Sequence, residues 1–149
     1  MPQEELNNIG REIIKNNTYL TLATCDKEPW AAPLYYCFDD KFNFYFISQM
    51  NSLHTQHILK NHNAAFAIFD SNSAEGEGNG IQGSGKAYLL NDEEVLEALK
   101  WYKTTFIDLK PENLRGDAPY RLFKLVPERF YILDPESKDV DKRVEIFLS

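Results

Sequence analysis

The sequence predicts a mainly β domain: six or seven antiparallel strands closed into a small barrel, with three helices outside it. Short apolar or alternating segments recur, each bounded by Asp, Asn, Gly or Pro turn chemistry. Three further segments carry apolar residues at helical spacing. The chain is also rich in core material, with 43% hydrophobic residues, eight Tyr and ten Phe among 149 positions, enough for one domain with a sizeable core.

Leu6, Ile9, Ile13 and Ile14 place a helix over residues 3–16, ending near Asn16-Asn17. Thr18–Thr24 is β-branched and aromatic and reads as a strand. Asp26-Lys27-Glu28-Pro29 is a turn, and Trp30–Phe38 is the next strand. Asp39-Asp40-Lys41 turns the chain back into Phe42–Ser48 as a hairpin. Asn51 or Ser52 caps a short helix through Lys60. Ala64–Phe69 is a buried strand, and Ser71–Gly80 is a glycine-rich surface loop. Ile81–Leu90 is a strand in which Gly83 and Gly85 weaken the ladder or let another backbone approach closely. Asn91-Asp92-Glu93-Glu94 resembles a capping box, and Val95, Leu99, Tyr102 and Phe106 extend the helix behind it. After a loop marked by Pro111, Gly116 and Pro119 come two strands, Tyr120–Val126 and Arg129–Leu133. Val144–Leu148 adds another strand or docks on a partner.

A net charge of −7 and a pI near 5.0 argue against the basic surface that nucleic acid requires and against attraction to an anionic membrane. No run is long enough to span a membrane, and the opening residues lack signal-peptide regions, so the expectation is a cytoplasmic protein. Cys25 and Cys37 read as small strand residues rather than a disulfide. His54, His57 and His62 match no strong zinc pattern, so no metal is expected.

The strand-to-helix junction from Phe42 to Ile58 carries the most chemistry. An alternating strand delivers Ser48, Gln49 and Ser52 to the start of a helix bearing His54 and His57. The first-turn N–H groups of a helix lack intrahelical partners and its dipole favours negative charge, so this junction reads as an anion pocket.

Thr18–Thr24, then Glu28-Pro29-Trp30-Ala31-Ala32-Pro33-Leu34-Tyr35-Tyr36, then Phe44–Ser48 and Ser52–Ile58 follow one another in order. Asn61–Ala67 and Gly80-Ile81-Gln82-Gly83-Ser84-Gly85 come next. Together they resemble the pyridoxamine 5′-phosphate oxidase-like family of FMN-binding split barrels over residues 6–133. The small YhbP-type branch looks closest, through Ile9-Gly10-Arg11, Gly-Ile-Gln and the helix toward Tyr102 and Phe106. The resemblance implies a Greek-key split β-barrel, one domain over residues 1–149, and a homodimer with FMN between subunits. It implies an oxidoreductase whose substrate is a small molecule of unknown identity.

By position, Pro33, Leu34 and Tyr35 would line the flavin ring, and Ile47, Ser48 and Gln49 would run toward the phosphate. Ser52, Leu53 and His54 would hold the phosphate, and Gln82 would approach the ring system from its own or a neighbouring subunit. The family commonly places Lys or Arg where this chain has Ser52 and His54. Arg121 lies in a strand rather than in an Arg-rich C-terminal motif, which argues against vitamin B6 oxidation. Two rivals stand beside the flavoenzyme. One is a non-catalytic carrier or sensor of haem or flavin, with His54, His57 or His62 as axial ligand, and the other is a deazaflavin-dependent reductase. Tyr35 and Tyr36 read equally as residues that stack on a planar ring and as core or dimer contacts.

Overall fold

The computed structural model describes residues 1–139 and 141–149. The described residues form three α-helices, α1 (Gln3–Asn16), α2 (Leu53–Lys60) and α3 (Asp92–Ala98), and a short 3-10 helix at Pro111–Leu114. The strands are β1 (Tyr19–Asp26), β2 (Glu28–Tyr35), β3 (Cys37–Phe38), β4 (Phe44–Gln49), β5 (Asn63–Phe69), β6 (Gly80–Leu89), β7 (Tyr120–Leu133) and β8 (Arg143–Ile146). Their order in the sheet is β2-β1-β5-β6-β7-β4-β3, with β8 paired to β7, and all pairings are antiparallel. β5, β6 and β7 are successive antiparallel neighbours, β6 and β7 being joined through α3, and β4 lies on the far side of β7, which makes a Greek key.

The two ends of this strand order, β2 and β3, are consecutive in the chain and separated by Tyr36 alone. One stretch of chain therefore pairs with β1 before Tyr36 and with β4 after it, and this curls the sheet into a split barrel. Tyr36 itself is buried, its N–H donating to Thr18 O at 3.2 Å and its hydroxyl to Ile14 O at 2.6 Å. The expected hairpin between Trp30–Phe38 and Phe42–Ser48 is thus reduced to Cys37↔Tyr45 and Phe38↔Phe44. The strand proper starts at Phe44, because Phe42 has φ +61° and closes the turn with its N–H on Asp39 O at 3.0 Å. Asp39 organises that turn by accepting from Lys41 N, Asn43 N, Asn43 Nδ2 and Tyr45 Oη. Burial pushes the Asp39 carboxyl up, but these hydrogen bonds outweigh it and hold its pKa below the usual range.

β1 and β5 alternate strictly between exposed and buried residues. Leu20, Leu22, Phe66 and Ile68 point into the core with Phe44, Phe46, Phe123, Leu125 and Ile132, and α1 adds Leu6, Ile13 and Ile14. A second cluster of Tyr45, Leu90, Val95, Ala98, Tyr102, Leu114 and Leu122 lies on the other face of β4 and β7 beneath α3.

Three expectations need correction. The described residues form eight strands where six or seven are expected. The two strands expected on either side of Pro127 are one, because the register shifts at Ser84/Gly85 and absorbs the proline. α3 keeps its capping box, Asn91 with Glu94, but stops at Ala98. Tyr102 is buried beyond its end, and Phe106 is 80% exposed rather than on a buried helical face.

The glycines of β6 permit close backbone approach. A Cβ on Gly85 would meet Val126 O at 2.1 Å, and one on Gly83 would meet Arg129 O at 2.2 Å. Backbone cannot yield as a side-chain tip can, so Gly85→Ala is expected to destabilise the fold by about 2–3 kcal/mol. Urea unfolding followed by circular dichroism checks this, and an unchanged midpoint would count against the close approach.

Candidate functional site

The junction between β4 and α2 gathers three of the expected residues. Ser48 is buried at the end of β4, and its Oγ lies 2.7 Å from His54 Nε2. Ser52 is the N-cap of α2 and approaches the same nitrogen at 3.3 Å. Its Oγ accepts from Thr55 N at 3.4 Å, and its proton is shared between Gln49 O and Thr55 Oγ1, each at 2.8 Å. The loop is held by Gln56 Nε2 on Met50 O at 2.7 Å and by Met50 N on Pro119 O at 3.1 Å. Leu53, also expected here, is exposed at the first helical position. Burial lowers the pKa of His54, and the neighbouring His57 acts in the same direction, so this imidazole favours its neutral form. The junction therefore presents hydroxyls and a neutral imidazole rather than a fixed cation.

Pro33, Leu34, Tyr35 and Ile47 come together in a separate groove with a cavity volume of about 350 Å³. Tyr19, Tyr102, Thr104, Phe106, Ile107 and Tyr120 complete its walls, and none of these residues carries a charge. Tyr35 is fixed by its hydroxyl donating to Lys103 O at 2.7 Å and by edge contacts with Tyr19 and Tyr102. The hydrogen bond with Cys37, then burial, pushes the Tyr35 hydroxyl up to about 12, so it stays protonated. Tyr36 is core rather than groove. Strand alternation places Ile47 on the groove side of β4 and Ser48 on the barrel side. A ligand meeting both passes the strand end at Gln49, an exposed residue whose Nε2 donates to Tyr120 Oη at 2.9 Å.

Gln82 stands apart from both. It lies in a cross-sheet row with Pro33, Thr21, Ala67 and Tyr131, three strands away from Pro33. At the usual strand spacing that is about 14 Å. Its Oε1 accepts from Arg143 Nε at 2.8 Å. The outer face carrying this row includes Thr21, Ala23, Ala31, Pro33, Ala65 and Ala67, all exposed, small and uncharged. Cys25 extends the face, so it is an outward residue rather than part of the core.

The other histidines serve the fold. His57 is buried with Nδ1 at 3.0 Å from Thr24 Oγ1, and His62 Nδ1 lies 2.9 Å from Ala87 O. Sequence reasoning passed over the groove walls Tyr19, Tyr102 and Tyr120, because local spacing assigned each to a strand or a helical face. It also placed Arg121 merely in a strand, whereas register sets it directly opposite Ser48. Strand pairing is the signal that finds it, and pairing is not printed in one strand's own sequence.

The donor set suits FMN. Hydroxyls, an imidazole and first-turn N–H groups at the junction match a phosphate, and the uncharged aromatic groove matches a planar ring. No curated protein matches the chain in sequence. The fold is shared with a Clostridium acetobutylicum protein related to general stress protein 26 of the pyridoxinephosphate oxidase family. That match has TM-score 0.70 and 15% identity, covering 99% of this chain and 97% of the other. A heme binding protein from Mycobacterium smegmatis matches at TM-score 0.69 and 16% identity, over 93% of this chain and 56% of its own. The Agrobacterium tumefaciens protein Atu2129, of unknown function, matches at TM-score 0.67 and 15% identity, over 96% of this chain. This chain spans only 62% of that protein and little more than half of the mycobacterial one. A model of the pyridoxamine 5′-phosphate oxidase family matches residues 10–134, and the chain belongs to that family.

Proposed function

We propose that this protein binds FMN as a homodimer and acts as a cytoplasmic flavin-dependent oxidoreductase on a small molecule. The observation that carries the reading is the adjacency of two features at the end of β4. These are the uncharged groove of Pro33, Leu34, Tyr35 and Ile47, and the Ser48–Ser52–His54 cluster. Bound FMN supplies the redox chemistry, while the protein binds, orients and shields it. Pro33, Tyr35 and Ile47 flank the ring, Gln49 lies beside the connecting chain, and Ser48, Ser52 and His54 with the α2 N–H groups hold the phosphate.

The uncovered outer sheet face supports a second copy as partner. Small uncharged side chains let another sheet approach closely, and an exposed apolar patch of this kind marks an interaction surface. Gln82 lies on that face, so in a dimer it is available to a neighbouring subunit's ligand. Visible absorbance and fluorescence titration with FMN test the cofactor, and a protein that binds none at mildly acidic and neutral pH rejects it. Ala65→Arg, which sets a charge at the centre of the face, is expected to convert the dimer to a monomer by light scattering and to weaken FMN binding at least tenfold. A variant that remains dimeric locates the interface elsewhere.

The haem reading has less support from the side chains. His57 is buried, with one ring nitrogen engaged by Thr24, and His54 faces Ser48 and Ser52.

A further inference from the structure

We infer that Arg121 supplies the fixed positive charge to the phosphate site that the junction itself lacks. The inference rests on the proposed FMN reading and deepens it. Arg121 pairs with Ser48 across β4 and β7, so the two side chains leave the same face of the sheet with their Cβ atoms about 5 Å apart. That is the barrel-facing side, where Phe46 pairs with Phe123 one step inward and where His54 reaches Ser48. An arginine beginning one strand away from a phosphate-binding serine has the length to join it.

The state of the guanidinium fits this role. Its Nη1 donates to Gly116 O at 2.8 Å, while its Nε is buried with no hydrogen-bond partner. Among the described residues no carboxylate lies within ion-pair distance of Arg121, although the chain carries 23 Asp and Glu against 16 Lys and Arg. In so acidic a protein, an arginine at a strand pair with no anionic partner and one buried donor unused is suited to an anion. A guanidinium stays charged at every physiological pH, and its planar fork matches phosphate oxygens. Ser48, Ser52 and His54 then supply direction, while Arg121 supplies the charge that does not depend on pH.

Arg115 provides an internal comparison. Its Nε is likewise buried and unpartnered, but its Nη2 donates to Asp92 O at 3.0 Å, and it lies on the loop rather than opposite Ser48. Removing it costs the same unit of charge without touching the site.

The test compares FMN, riboflavin and inorganic phosphate on the intact protein, using fluorescence titration for the flavins and thermal shift for phosphate. Arg121→Gln is expected to weaken FMN binding roughly 10- to 100-fold, leave riboflavin affinity within about twofold, and abolish the phosphate-induced rise in Tm. Arg121→Lys, which keeps the charge without the fork, is expected to fall between, and Arg115→Gln to stay within about threefold of wild type. If Arg121→Gln fails to fold, the lysine variant decides: a loss confined to FMN supports the assignment, and no loss overturns it. Equal losses for FMN and riboflavin also overturn it, since they signal a structural role. An unchanged FMN affinity in Arg121→Gln, with a weakened one in His54→Ala, rejects Arg121 while sparing the flavin reading. A wild-type protein that binds neither FMN nor phosphate rejects both.

Discussion

Phe44→Ala is expected to destabilise the protein by about 3–5 kcal/mol, the range for truncating a fully buried aromatic residue. Phe44 is 0% exposed and sits where the two ends of the sheet meet. It pairs with Phe38 on one side and with Leu125 on the other, so it belongs to the segment that completes the barrel. Its ring meets Tyr36 edge-on at 5.4 Å between centroids, Phe66 at 5.2 Å and Phe130 at 6.4 Å. Those partners come from the β2–β3 crossover, from β5 and from β7, so one side chain joins three parts of the wall. Truncation removes apolar burial and leaves a cavity lined by aromatic rings that cannot all collapse into it. A fall in Tm of roughly 6–20 °C follows for a domain of this size. Thermal and urea unfolding measure it, and a loss below about 1 kcal/mol would show that the crossover tolerates loose packing.

Much of this barrel was legible in the sequence, and the reasons are local. β1 and β5 alternate cleanly because one face is buried, and α1 repeats its apolar residues at 3.6 spacing. Ser52 was readable as a cap and Asn91-Asp92-Glu93-Glu94 as a capping box, since such chemistry lies within four residues. The failures are of two kinds. The spacing of Leu99, Tyr102 and Phe106 predicts a longer α3 than the one that forms: the helix stops at Ala98, and Tyr102 is buried as a groove wall beyond its end. The other failures concern pairing. That Tyr36 hands the chain from one sheet edge to the other, that Pro127 sits in an unbroken strand opposite Gly85, and that Arg121 faces Ser48 are all properties of register. The same limit applies to the expected site: Ser48, Ser52 and His54 meet because they are close in the chain, whereas Gln82 and Pro33 are related only through three strand pairings.

His54→Ala is expected to weaken FMN binding by at least tenfold near pH 6.5 and to remove most of its pH dependence. Burial first, then His57, lowers the pKa of His54 in the free protein, while Ser48 and Ser52 face its Nε2 and Arg121 lies across the strand pair from Ser48. A phosphate dianion at the junction reverses that preference, because it stabilises the imidazolium that burial disfavours. Binding then takes up a proton, so FMN affinity rises as pH falls from about 8 toward 6.5. The rise ends near pH 6, where the phosphate itself begins to protonate. Loss of a charge-assisted hydrogen bond sets the tenfold scale. The free protein shows the opposite trend through the same residue. Below about 6.5 the unfolded chain binds a proton that folded, neutral His54 resists. Its contribution to stability is therefore whole above that pH and is lost as pH falls toward the lowered folded-state value. Tm measured against pH with and without FMN separates the two: the ligand-induced increment grows on mild acidification in wild type and stays flat in His54→Ala. A wild-type FMN affinity that does not change between pH 8 and 6.5 would show that His54 holds no proton for the phosphate. The site's charge would then have to come from residues such as Arg121 alone.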